Sequence, residues 1–151
     1  MSVRTDLATI ESVDDRHVQR NNTMEREKKR LLNYLRSRKR GADDDDDEFA
    51  RRIKTIQKLS QFSHGQSNPT YKFVVEMTDG TVNSYVLRKK PGGKILSSAH
   101  AVEREFQVQF ALKKKHPHFP VPRMVLLCED CSILGTPFYI MDFVQGTIYL
   151  Q

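Results

Sequence analysis

Thr78-Asp79-Gly80-Thr81 stands between two strand-like runs, and this punctuation constrains the fold more than any other stretch of the chain. Asp-Gly supplies a positive φ at little steric cost, so it closes a hairpin. Before it, Thr70 to Met77 carries Tyr71, Phe73, Val74 and Val75; after it, Val82 to Lys89 ends at Pro91-Gly92-Gly93. Both runs read as strands. Ile56 to Phe62 adds a weaker first strand, which makes an antiparallel meander. A helix follows, capped by Ser98 and running to about Lys114, where Pro117, Pro120 and Pro122 stop it. Met124 to Cys128 and Phe138 to Met141 supply a fourth and a fifth strand. The order β-β-β-α-β-β predicts an α+β fold, a five-stranded antiparallel sheet with one packed helix.

The segment before the first strand is different in kind. Residues up to Asn22 are polar and aperiodic, so a disordered tail is expected there. Thr23 is placed to cap a basic helix of about residues 24–40, with Glu25 and Glu27 in its first turn and Arg36 to Arg40 in its last. Leu31, Leu32 and Leu35 give it a narrow apolar stripe, and Gly41 ends it. Asp43 to Asp47 repel one another, and residues 43–48 are expected to be a solvated, disordered linker. The domain division is therefore 1–50 as a mostly disordered tail and 51–151 as a folded lobe.

Helical periodicity places one ionisable group where it needs an explanation. Ala101, Glu105, Val108 and Leu112 share a face at 3.6 residues per turn, with Val102 at its border. A carboxylate within an apolar stripe is costly unless a cation meets it or its head escapes to water. The paired arrangement is preferred, because the preceding strand offers Arg88 and Lys89. Side chains alternate along that strand, so only one of the two can point at Glu105. Periodicity leaves the choice open.

Composition sets outer bounds. The 151 residues carry a net charge of +6, with 38% hydrophobic and 29% charged residues. Such a chain attracts polyanions: nucleotides, coenzyme A, nucleic acid or a membrane surface. No aromatic residues interleave with the basic run, so nucleic acid is the least favoured partner. No apolar run approaches the roughly 18 residues of a membrane span, and no secretory signal is visible. Acidic residues Asp6, Glu11, Asp14 and Asp15 argue against an organelle presequence. The expected compartment is intracellular, cytoplasmic first, with mitochondrion and peroxisome left open. Cys128 and Cys131 form one C-x-x-C pair without a second pair to complete a zinc site. They are read as two small residues at a strand end.

With these elements in place, Gly65-Gln66-Ser67-Asn68-Pro69-Thr70-Tyr71, Val86-Leu87-Arg88-Lys89-Lys90-Pro91, Arg104-Glu105-Phe106, Phe119-Pro120-Val121-Pro122 and Gly135-Thr136-Pro137-Phe138-Tyr139-Ile140-Met141-Asp142 together resemble the amino-terminal lobe of the aminoglycoside phosphotransferase family. Within it the chain is most similar to the kinase-like domain fused to eukaryotic acyl-CoA dehydrogenases. The likeness covers about Ile53 to Gln151. It implies a kinase-like small lobe and ATP as phosphate donor. Gly65, Ser67 and Asn68 match the loop over the phosphates, where small residues let backbone N–H groups approach. Arg88 matches the strand cation and Glu105 its helix partner. Met141 to Val144 match the hinge, where the backbone of Asp142 and Val144 would read the adenine edge.

The same likeness implies parts that these residues lack. No His is followed two places on by Asp, so the catalytic loop is missing, and so is the later magnesium-binding Asp. No catalytic or metal residue is therefore assigned, and magnesium is expected only where a second lobe supplies its ligands. The expectation is a truncated ATP-binding lobe of a small-molecule phosphotransferase with a hydroxyl acceptor, hydroxyacyl-CoA being the candidate, and inactive alone. A second lobe or a partner protein is expected to cover its open face. The alternative is a non-catalytic protein-interaction module.

Overall fold

The computed structural model describes residues 8–38, 45–62, 67–93 and 101–146. Five strands form one antiparallel sheet in the order β1-β2-β3-β5-β4: β1 (Ile53–Gln61), β2 (Thr70–Met77), β3 (Val82–Lys89), β4 (Met124–Cys128) and β5 (Phe138–Asp142). Among the described residues four helices accompany them: α1 (Ala8–Arg38), α2 (Asp45–Arg52), α3 (Val102–Lys115) and α4 (Cys131–Leu134). This is the α+β, kinase-like small lobe expected from the sequence.

The β2–β3 hairpin forms for the reason its turn predicts. Gly80 has φ of +83°, a conformation that disfavours a side chain. The Asp79 carboxylate accepts from the Thr81 N–H at 2.9 Å and from its hydroxyl at 2.6 Å. Those bonds hold the carboxyl below the usual carboxylate range. The Met77 N–H then closes the loop onto the Thr81 carbonyl at 2.8 Å. Register runs without a shift from Glu76–Val82 to Thr70–Arg88.

Alternation along these strands gives the sheet two faces of different character. Tyr71, Phe73 and Val75 of β2 join Tyr85 and Leu87 of β3 and Phe138 and Ile140 of β5 in the larger core. That face is covered by α1 and α2. Leu31 and Leu35 of α1 are fully buried within it, and the Tyr34 ring meets Phe138 edge-on at 5.9 Å. Phe49 of α2 packs against Tyr85 at 4.7 Å. The opposite face carries a smaller cluster of Val102, Met124 and Tyr139, with Phe106 and Met141 packed on it. Among the described residues, α3 is the helix that packs there.

Several expectations are corrected. The basic helix begins at Ala8, not near residue 24, so residues 8–22 are helical rather than disordered. The apolar stripe marks only the anchored half; once that half is docked, propagation costs little, and polar Gln, Glu and Arg are adequate helix formers. Thr23 is no cap: its hydroxyl donates to the Gln19 carbonyl at 2.9 Å within the helix. Part of the acidic stretch, Asp45 onward, is the first turn of α2 rather than linker; residues 39–44 lie outside the described residues. The one-turn helix α4 was not anticipated; Asp130 caps it by accepting from the Ser132 N–H at 2.8 Å. Ser98, the expected cap of α3, lies outside the described residues, and Ala101 stands at the N-cap position without a side-chain bond. The inward face of α3 is rotated by about one residue: Val102, Glu105 and Phe106 face the sheet, while Val108 is largely exposed.

Candidate functional site

The open face of the sheet is built around two charged groups that the fold brings together. Arg88 leaves β3 on the side opposite Leu87, towards α3. Glu105 comes down one turn into α3. The Arg88 Nε donates to the Glu105 Oε2 at 2.8 Å, a part-buried ion pair. The question left by alternation is thus decided for Arg88. Lys89 points through the other face and pairs with Glu27 of α1.

Glu105 is held from more than one side. The Asn68 Nδ2 donates to Oε1 at 3.2 Å, and the Tyr139 hydroxyl donates to Oε2 at 3.1 Å. A carboxylate has about four acceptor positions, so three donors are readily met. Burial raises the Tyr139 phenol above its ordinary value, and the neighbouring Glu105 charge adds to that. The hydroxyl therefore stays protonated and donates. Arg88 reaches further: its Nη1 donates to the Thr70 Oγ1 at 3.3 Å, and that hydroxyl donates to the Asn68 carbonyl at 2.9 Å. Asn68 is buried, and its Oδ1 has no hydrogen-bond partner among the described residues.

A cavity of about 680 Å³ adjoins this network, a size suited to a cofactor or small ligand. Val86, Val121 and Met141 line its apolar part, and Arg88 and Thr70 stand at its polar part. Asp142 to Gly146 form one edge. At that edge Arg123 grips Asp142 in two ways. Its Nε and Nη2 donate to the carboxylate at 3.0 and 3.1 Å, and its carbonyl accepts the Asp142 N–H at 2.9 Å. That leaves the Asp142 carbonyl as the backbone group it can offer to a ligand. Phe143 lies under the Lys72 ammonium at 3.9 Å, and Val144 is exposed.

Of the residues singled out from sequence, Arg88, Glu105 and Asn68 share one network, and Asp142 and Val144 line the adjoining cavity. Ser67 is exposed beside Asn68. Gly65 lies outside the described residues. Sequence reasoning missed Tyr139, Thr70 and Arg123. Tyr139 carried a usable signal: a phenol inside a buried strand needs a partner for its hydroxyl. Cys128 is buried and Cys131 exposed at the end of β4 and the start of α4, both as free thiols. Among the described residues no helix is long and apolar enough to cross a membrane.

Comparison with known proteins agrees with this architecture. The chain is 55% identical over 95 residues to "Probable acyl-CoA dehydrogenase IBR3" of Arabidopsis thaliana, covering 62% of this chain and 11% of that protein. It is 53% identical over 91 residues to acyl-CoA dehydrogenase family member 10 of Mus musculus, covering 60% of this chain and 8% of that protein. A solved Ralstonia eutropha structure assigned to the aminoglycoside phosphotransferases superposes with a TM-score of 0.54 at 34% identity, over 81% of this chain and 29% of that one. The chain thus spans only a small part of the relatives it matches. The model of the phosphotransferase enzyme family matches residues 58–151, from β1 through the ion pair and the cavity edge. On that match, the chain belongs to the phosphotransferase enzyme family.

Proposed function

We propose that this lobe holds the adenine nucleotide of a small-molecule phosphotransferase, with ATP as donor and a hydroxyl group as acceptor. The Arg88–Glu105 pair beside the cavity carries the reading. An adenine ring needs apolar faces, which Val86 and Met141 offer, and backbone partners at its edge, which the Asp142 carbonyl and the Val144 N–H would supply. Phosphates need fixed positive charge, and Arg88, oriented through Glu105, would present its planar fork to them. Ser67, Asn68 and Gly65 would place backbone N–H groups over the same oxygens. The role of the pair is positioning and charge neutralisation, which is most of what phosphoryl transfer asks of a protein.

Among the described residues no group of three or more His, Cys, Asp or Glu is placed to hold a metal ion. Magnesium finds no fitting site among them. With no catalytic-loop Asp among these 151 residues, the chain is expected to bind nucleotide weakly and not to turn it over. Similarity to proteins named as acyl-CoA dehydrogenases supports a hydroxyacyl-CoA acceptor. The test is nuclear magnetic resonance titration of the chain with ATP. Millimolar ATP should shift Val86, Met141 and Val144 and leave the back of the sheet unchanged, with no ATP consumed. Absence of shifts, or steady ATP consumption by the chain, would overturn the reading.

A second reading is a non-catalytic interaction module, favoured by the outer side of α3, where Phe110 stacks on Phe106 at 5.8 Å yet remains 46% exposed. Light scattering that finds a clean monomer at all concentrations counts against it.

A further inference from the structure

Resting on the nucleotide reading above, we propose that Tyr139 is a positioning residue that latches Glu105 against the sheet and thereby aims Arg88 into the cavity. A helix-borne carboxylate that is 34% exposed at its side chain can leave its strand partner for water. What prevents that here is a donor from the sheet itself. Tyr139 sits on β5, between β3 and β4, and is 1% exposed. Its ring is clamped among Val102, Met124 and Phe106, the last at 6.1 Å between centroids. The hydroxyl therefore has a fixed position, and the acceptor it finds is the Glu105 Oε2.

The same oxygen receives the Arg88 Nε. Breaking the pair would take from the buried phenol its charged acceptor and leave it only the neighbouring Gln109 amide, a cost beyond the loss of the ion pair. Asn68 adds a second restraint on the other oxygen and ties the segment before β2 to the same carboxylate. The latch is thus assembled by packing within the lobe itself. Burial keeps the phenol neutral, so it remains a donor through the physiological range.

The decisive variant is Tyr139→Phe, which keeps the clamped ring and removes only the hydroxyl. Exchange of the Arg88 Nε–H with water, read by nuclear magnetic resonance, reports the pair directly. It should quicken roughly tenfold, since a bond to a charged group is lost, and half-saturation by ATP should need roughly tenfold more nucleotide. Asn68→Ala should act in the same direction, more weakly. Tyr34→Phe, which removes a phenol from the opposite face of the sheet, should leave the Arg88 signal unchanged; this separates positioning from a general loss of stability. Unchanged Arg88 exchange in Tyr139→Phe, or equal quickening in Tyr34→Phe, would overturn the latch. If the unaltered chain shows no response to ATP while Tyr139→Phe still quickens Arg88 exchange, the latch stands and the nucleotide reading falls.

Discussion

Arg88 and Lys89 are neighbours on one strand with nearly the same charge, and the fold gives them opposite tasks. Lys89 passes into the covered face, where it meets Glu27 and fastens α1 to the sheet. Its side chain is 11% exposed, against 24% for Arg88. Arg88 passes into the open face, where Glu105 holds it beside the cavity. The difference teaches that one residue of alternation separates an ion pair under a helix from one that lines a cavity. Charge type alone does not tell them apart. What lies across each face does.

The covered face is where stability should be concentrated. Leu35→Ala removes a fully buried side chain of α1 and should cost about 2–5 kcal/mol in urea unfolding, without moving the Arg88 resonances. A cost well under 1 kcal/mol would mean that α1 is an appendage rather than part of the lobe.

The two cations can then be set against each other. Lys89→Met leaves Glu27 without its partner in a mostly buried place and should cost about 1.5–3 kcal/mol. Combining it with Glu27→Gln should restore part of that loss, because the stranded charge is gone. Arg88→Met should cost less, about 1 kcal/mol or under for a part-exposed pair, yet abolish the response to ATP. The comparison breaks if the two variants have the same profile, or if Lys89→Met is the one that loses nucleotide.

The smallest effect lies on the pH axis. Burial raises the phenols of Tyr34, to about 12, and of Tyr71, Tyr85 and Tyr139 above their ordinary value. A group whose folded pKa is raised stabilises fully below its unfolded pKa and less above it, because the unfolded chain loses the proton first. Unfolding midpoints should therefore be flat below about pH 9 and fall as pH rises through 10. Tyr34 and Tyr139 lie on opposite faces, so Tyr34→Phe and Tyr139→Phe should each blunt the fall separately. A midpoint that climbs above pH 10 would contradict the burial of these rings.

The strands were legible because their signals are local. Thr70 to Met77 and Val82 to Lys89 alternate, and Asp79-Gly80 can do little but turn. Glu105 was legible as a residue needing a cation, since its place inside an apolar stripe carries a desolvation cost. The stripe itself was set one residue off. Val108 looks as apolar as Val102, and only packing against Met124 and Tyr139 decides which is buried. The reach of α1 was not legible either. Ala8 to Asn22 has no apolar period, and its helix depends on the anchoring of Leu31 and Leu35 further along the chain. Tyr139 and Arg123 were missed because their partners, Glu105 and Asp142, lie 34 and 19 residues away in the chain.

The amino-acid sequence determined the five strands, the hairpin and the need for an ion pair at Glu105. These follow from backbone sterics, side-chain period and the cost of burying charge, all of which act over a few residues. Tertiary structure decided which cation answers Glu105, which face α1 seals and which hydroxyl holds the carboxylate in place. Those choices depend on what lies across the sheet, and pairing between segments distant in the chain has no local signature.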